Sequence, residues 1–171
     1  MGKLETVPAL SALELLAAPV AAALHDPAVL VAPIDPTLAD TAEFCAAYDV
    51  GLEQSANCVV ISGKRDGVTR YAACVILATT RADVNGVARK RLDVRKASFA
   101  PMDDAVSLTG MEYGGITPIG LPADWPVLID SRVVDVPWAI IGSGLRRSKI
   151  LLPGAALARL PTAEVIPDLA R

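Results

Sequence analysis

The stretch TGMEYGGITPIGLP, residues 109–122, gathers Gly110, Gly114, Gly115 and Gly120 around Pro118 and Pro122. Glycines in series let successive backbone N–H groups converge on one point, where they bind a carbonyl oxygen or a phosphate. Prolines hold such a loop stiff. Gly110 has a routine use as a helix C-cap, but one cap is enough and the other three glycines need another reason. A tight connection between a helix and a strand has the same composition, and both readings stand at this point. A second glycine pair, Gly142 and Gly144 in GSGLRRSK, is followed by Arg146 and Arg147. Forked cations beside a backbone nest suit phosphate. Set against these donors is a shortage: His25 is the only histidine. A Ser–His–Asp triad, a histidine-rich metal centre or a histidine-dependent deaminase would have to run through that one residue, which disfavours most hydrolase mechanisms.

Composition narrows the chemistry further. Cys45, Cys58 and Cys74 are odd in number, far apart and in apolar surroundings, as expected of buried reduced thiols rather than a disulfide frame or a zinc knuckle. No metal site and no cofactor is signalled. The net charge of −3 argues against a protein that wraps nucleic acid over its whole surface. Positive charge nonetheless clusters in ARKRLDVRK and LRRSK, so a local phosphate-binding face remains open. Hydrophobic residues make up 53% of the 171, enough to bury a core, and every long apolar run is broken before the roughly 20 residues a membrane span needs. The expectation is one cytosolic domain over residues 1–171 with no membrane partner.

The elements that must position these residues follow from pattern. SALELLAA and VAAALHD read as two short helices separated by Pro19, and AVLVAPI as a strand. Asp35 or Thr37 can cap a helix over LADTAEFCAAYDV, which Gly51 stops. NCVVISGKRDGVTRYAACVILATT is the clearest β signal, two strands apolar on both faces joined through Asp66-Gly67. ADVNGVARKRLD predicts a helix capped by Asp83, and PMDDAVSLTG another, with Pro101 first and Gly110 last. Strands are expected in VLIDSRV, WAIIGSG and SKILLP, then a short helix GAALARL and an extended AEVIPDL. The sum is an α+β domain, a mixed sheet with helices around it, without the βαβ rhythm of a dinucleotide fold.

LTGMEYGGITPIGLP, followed in order by PVLIDSRV and IGSGLRRSKILLP, resembles the YbaK/EbsC family. That family includes the editing domain of bacterial prolyl-tRNA synthetases and free-standing deacylases of mischarged tRNA. Its helix ending in glycine, its GG-x-x-P-x-G loop, its strand carrying Asp and its late G-x-G with basic residues fall on Gly110, Gly114, Gly115, Pro118, Gly120, Asp130, Gly142, Gly144 and Arg146. The resemblance runs over roughly residues 25–160. It implies a curved mixed sheet surrounded by helices, and a pocket that receives the aminoacylated 3′ end of a tRNA and hydrolyses its ester. Partners implied are aminoacyl-tRNA and an aminoacyl-tRNA synthetase. The residues suit that chemistry: backbone donors at Gly114 and Gly115 would stabilise the oxyanion, about 3 kcal/mol for each well-placed donor. Ile116 and Arg147 are expected to border the same site, and Asp130 to fix the glycine loop through backbone N–H groups.

One position departs from the family. Deacylases of this type usually carry lysine at the start of the first central strand, where SANCVVIS puts Asn57. An amide donates a hydrogen bond but carries no charge. Three accounts stay open: Asn57 orients the ester carbonyl itself, Lys64, Lys90 or Lys96 reaches the pocket from another element, or the pocket binds an aminoacyl or nucleotide group without turnover.

Overall fold

The computed structural model describes residues 1–171. Nine strands divide between two sheets. β2 (Leu30–Pro33) and β8 (Ser148–Leu152) lie at the centre of an antiparallel sheet, with β1 (Val7–Pro8) outside β2 and β7 (Ala139–Gly142) outside β8. The other sheet runs β5 (Ala97–Phe99), β3 (Ala56–Arg65), β4 (Val68–Leu77), β6 (Val127–Asp130) and β9 (Ala163–Ile166). β6 pairs parallel with both β4 and β9, so this sheet is mixed. An isolated parallel bridge between Ser55, just before β3, and Ile140 of β7 links the two sheets. The architecture is α+β, with helices around the sheets.

The β3–β4 hairpin forms where the sequence predicts it. Asp66 and Gly67 both take positive φ (50° and 79°), as the tight turn between right-twisted strands demands. Both faces of β4 are buried, one in each of two apolar clusters. Val75 and Leu77 face Ile129, Ile141 and Ile150 between the sheets, while Ala72, Cys74 and Ile76 face Leu92, Leu128 and Leu169. A third cluster, built on Phe44, Cys45, Ile140 and Leu151, lies under α2 (Thr41–Tyr48).

Several helices are shorter than the pattern implies. In place of a helix over SALELLAA there are two single 3₁₀ turns, Ala9–Ser11 ending on its first residue and Leu13–Leu15 within it, and α1 occupies only Ala18–Ala23. Pro19 sits inside the first turn of α1 rather than between helices, where its missing N–H costs nothing. Asp35 caps the 3₁₀ turn Pro36–Leu38, and Asp40 precedes α2. The segment after Asp83 opens as a π turn, Val84–Ala88, and becomes α3 only over Arg89–Leu92, because Gly86 leaves helical geometry. α4 (Met102–Thr109) carries Asp103 and Asp104 in its first turn and ends on Gly110 at φ 67°. VLIDSRV stops being a strand at Asp130, whose carboxylate accepts from the Arg132 N–H and starts α5 (Ser131–Val134). α6 (Gly154–Leu157) follows β8.

Candidate functional site

A cavity of about 350 Å³ lies between α2, the start of β3, the loop after α4, and the β7–β8 pair. This is within the ordinary size range of small-ligand sites. Much of its wall is apolar, from Val60, Ala105, Ile116 and Ile141 among others. Its polar groups come from four segments far apart in sequence: Asp40 and Thr41, Ser55 and Asn57, Tyr113 with the Gly114 main chain, and Lys149.

Asn57 is the second residue of β3 and sits opposite Ile76 of β4. The Thr41 hydroxyl donates to the Asn57 side-chain oxygen at 2.9 Å. With its acceptor taken, the amide keeps both N–H donors of its NH₂ group for something else.

The two glycine motifs are stitched to each other. Glu112 N–H donates to the Gly144 carbonyl at 2.9 Å, and Gly144 N–H donates to the Gly115 carbonyl at 2.7 Å. Gly115 N–H donates to the Glu112 carbonyl at 2.9 Å, closing a turn. The expectation that Gly115 offers an oxyanion donor is therefore corrected: its amide is consumed within the loop. Gly115 is glycine because a side chain would lie 2.7 Å from the Leu145 backbone, and Gly142 because one would lie 2.8 Å from the Ile116 carbonyl. Gly114 differs. It borders the cavity, stands at φ 85°, and its N–H donates to no backbone carbonyl.

The Arg146 guanidinium lies against Gly114, which borders the cavity. The guanidinium donates to the Pro36 carbonyl at 3.3 Å, and to the Tyr113 carbonyl and the Asp40 carboxylate at 3.4 Å each. Phe99 and Tyr113 also border the cavity and are 63% and 57% exposed. The remaining ring pairs are internal, Phe44 with Tyr48 and Tyr71 with Trp125. Phe99 and Tyr113 thus stay unpaired at the one place where an entering group would meet them.

Other expected site residues fall elsewhere. Gly144 packs behind the loop against Ala17 and Met111, and Gly110 caps α4 near Pro19. Pro118 and Gly120 border a smaller apolar cavity of about 170 Å³. Arg147 turns the other way and donates to the Glu14 carbonyl at 2.6 Å. Asp130 does not hold the glycine loop. Its carboxylate is buried and accepts from Arg132 Nε at 2.8 Å, Arg132 N–H at 3.0 Å and Ala170 N–H at 2.9 Å, tying α5 to the C-terminal residues. Burial pushes its acidity one way, but these hydrogen bonds outweigh it and hold the carboxyl below the usual carboxylate range. On the proposed basic track, Arg89 is occupied by the Asn85, Val94 and Arg95 carbonyls and Arg91 by Glu164.

None of Lys64, Lys90 and Lys96 borders the cavity; Lys149 does. It stands in β8 between Ser148 and Ile150, both fully buried, with Ala32 of β2 and Gly142 of β7 as cross-strand neighbours. Its ammonium donates to the Ala39 carbonyl at 3.0 Å and lies 5.0 Å from the centre of the Phe44 ring. The signal that would have found it is a charged residue directly ahead of the apolar run Ile150–Leu152 in a central strand.

A model of the aminoacyl-tRNA editing domain matches residues 35–160. The fold is similar to the crystal structure of a candidate trans-editing enzyme for prolyl-tRNA synthetase, with a TM-score of 0.69 and 20% identity over 80% of this chain and 83% of that one. It is similar to a scaffold protein from work on computational epitope grafting, with a TM-score of 0.70 and 19% identity over 81% of this chain and 85% of that one. It also resembles part of a candidate signal transduction protein from Marinobacter aquaeolei VT8. There the TM-score is 0.54 and the identity 16%, over 94% of this chain but 30% of that one. At these identities the likenesses concern the fold.

Proposed function

The chain belongs to the aminoacyl-tRNA editing domain family, and from that premise we propose that it hydrolyses, in trans, the ester linking a wrong amino acid to the 3′ end of a tRNA. The observation that carries this reading is one cavity on which the free Gly114 N–H and the Asn57 amide sit at the edge of an apolar chamber. An ester carbonyl accepting from those donors gains positive character at carbon. The oxyanion formed on attack is held by groups already oriented for it. Water adds to the carbonyl carbon, and the bond from that carbon to the ribose oxygen breaks. The proton lost by the nucleophile ends on the departing ribose oxygen. With water as nucleophile the products are the free amino acid and an uncharged tRNA.

The chamber receives the amino-acid side chain, and alanine or cysteine on a proline tRNA is the substrate pair that the proline-system reading puts first. At the mouth, Phe99 and Tyr113 offer faces on which the terminal nucleobases stack, and the Arg146 guanidinium offers charge to the adjoining phosphates. A synthetase that releases the mischarged tRNA is the natural partner, in the cytoplasm.

A second reading is favoured by Asn57 itself: a module of the same fold that binds the aminoacyl end and does not cleave it. Incubating the purified protein with tRNA-Pro charged with alanine or cysteine, and with a wider charged panel, separates the two. Release of free amino acid supports the enzyme. Saturable, salt-sensitive binding without release supports the silent module.

A further inference from the structure

Lys149 occupies a position that a lysine rarely holds. β8 is flanked by β2 and β7, and its residues on either side of Lys149 are sealed in the core. The side chain leaves the sheet on the same face as Leu151, into the cluster of Phe44 and Ile140, and makes no ion pair with any carboxylate. A partly buried ammonium held only by one carbonyl and one aromatic face carries a desolvation cost, and a leucine or methionine would fill the same volume without it. Its cross-strand neighbours on both sides, Ala32 and Gly142, are small and leave the ammonium room to reach the cavity. A charge maintained at such expense beside a cavity marks a functional group.

We propose that Lys149 supplies, from β8, the positive charge that β3 lacks at Asn57, its ammonium holding the carbonyl oxygen of the substrate's ester together with the Asn57 NH₂ group. This rests on the editing reading above. The division of labour is consistent with the contacts on each residue. Thr41 fixes the Asn57 amide with its donors free. The Ala39 carbonyl takes one of the three ammonium protons and leaves two. Asn57 and Lys149 are 92 positions apart in sequence and share one cavity wall. Charged groups that face the ammonium are Asp40 from the start of α2 and Arg146 from the loop before β8; the Cys45 thiol of α2 is the further titratable neighbour. Burial lowers the lysine's pKa from its ordinary value, so its charge is lost at a lower pH than for a surface lysine.

The test is charge removal and charge transposition in the full chain. Lys149→Met, similar in shape, is expected to lose about 100-fold in single-turnover hydrolysis and to keep its thermal transition. Lys149→Arg should retain more than Lys149→Met, and should remain active on the alkaline side where the wild-type rate declines. A purely structural lysine would leave that alkaline limb unmoved. Asn57→Lys combined with Lys149→Asn returns the charge to the cavity from the opposite strand and should recover at least tenfold over Lys149→Met. An amide-linked aminoacyl adenosine, which cannot be hydrolysed, measures binding without turnover, and Lys149→Met should bind it at least tenfold more weakly. Equal hydrolysis and equal analogue binding by wild type and Lys149→Met would overturn the role of Lys149 while leaving the editing reading intact. Analogue bound by wild type but no charged tRNA cleaved would remove the enzyme reading, and the binding comparison would still decide for or against Lys149. No binding and no cleavage by wild type would remove both.

Discussion

The Thr41 hydroxyl donates to the side-chain oxygen of Asn57 at 2.9 Å, joining the first turn of α2 to the beginning of β3 across the cavity wall. That bond decides which end of the amide meets a substrate. Asn57→Ala removes both donors, and hydrolysis is expected to fall about 100-fold, the loss typical for one oriented donor to an oxyanion. Asn57→Asp keeps the size but replaces the donors with acceptors and should fall at least as far. Thr41→Val leaves the amide in place but frees it to turn over, so the expected loss is smaller, about tenfold. Single-turnover rates measured side by side check the ranking, and a Thr41→Val variant slower than Asn57→Ala would contradict it.

Lys149→Met should make the protein at least as stable as wild type. Removing a partly buried charge that has no carboxylate partner relieves a desolvation cost, so the change is expected to be neutral or stabilising. The sign of the pH dependence follows from the lowered lysine value. Below the folded-state value both folded and unfolded chains carry the charge and the cost is fully present. Between that value and the ordinary lysine value the folded chain sheds its proton first, so the cost is relieved as pH rises. Denaturant melts across the alkaline range should show this gain in wild type and lack it in Lys149→Met.

Asp130 predicts the opposite limb. Its folded-state value lies below the usual range, so its stabilisation is present above the ordinary carboxylate value and is lost as pH falls through the lowered one. Asp130→Ala leaves the Arg132 and Ala170 N–H groups without their acceptor and should cost about 3 kcal/mol. Because the carboxylate is distant from the cavity, kcat of the folded fraction should be unchanged. A folded Asp130→Ala protein with wild-type stability and reduced kcat would show that this residue belongs to the reaction after all.

Phe99→Ala and Tyr113→Ala should raise KM for charged tRNA about tenfold each with little change in kcat, since stacking on a terminal base contributes about 1–3 kcal/mol. A substrate lacking the nucleobases, such as an aminoacyl ester of a simple alcohol, should not distinguish either variant from wild type. Equal sensitivity on both substrates would place the rings in the chamber's chemistry rather than at its mouth.

Much of the frame was legible because it depends on local chemistry. Asp66-Gly67 specifies its hairpin, Gly110 ends α4 in the left-handed region, and the two-sided apolar strands are central. The first N-terminal helix is replaced by 3₁₀ turns and the second is short, because the Ala- and Leu-rich pattern is equally satisfied by short pieces docked on the sheets. The site was legible only in part. Asn57, Gly114, Ile116 and Gly142 meet on one wall, whereas Gly115 spends its amide on Glu112 and Asp130 serves the C-terminal residues. A glycine-rich sequence announces that main chain will pass close to main chain, as Gly115 does to Leu145, but not which N–H groups remain unpaired. Lys149 was hidden for a different reason. Strand alternation placed it in a sheet, while its approach to Asn57 depends on the crossing of two sheets joined only at Ser55 and Ile140.

The most direct measurement is single-turnover release of amino acid from alanine- and cysteine-charged tRNA-Pro, with the wider charged panel alongside and Asn57→Ala run in parallel. Wild type should release at least one amino acid well above the spontaneous rate, and Asn57→Ala should bring that rate down about 100-fold. Release no faster than the spontaneous rate across the whole panel, from protein that is folded and binds charged tRNA, would contradict the account.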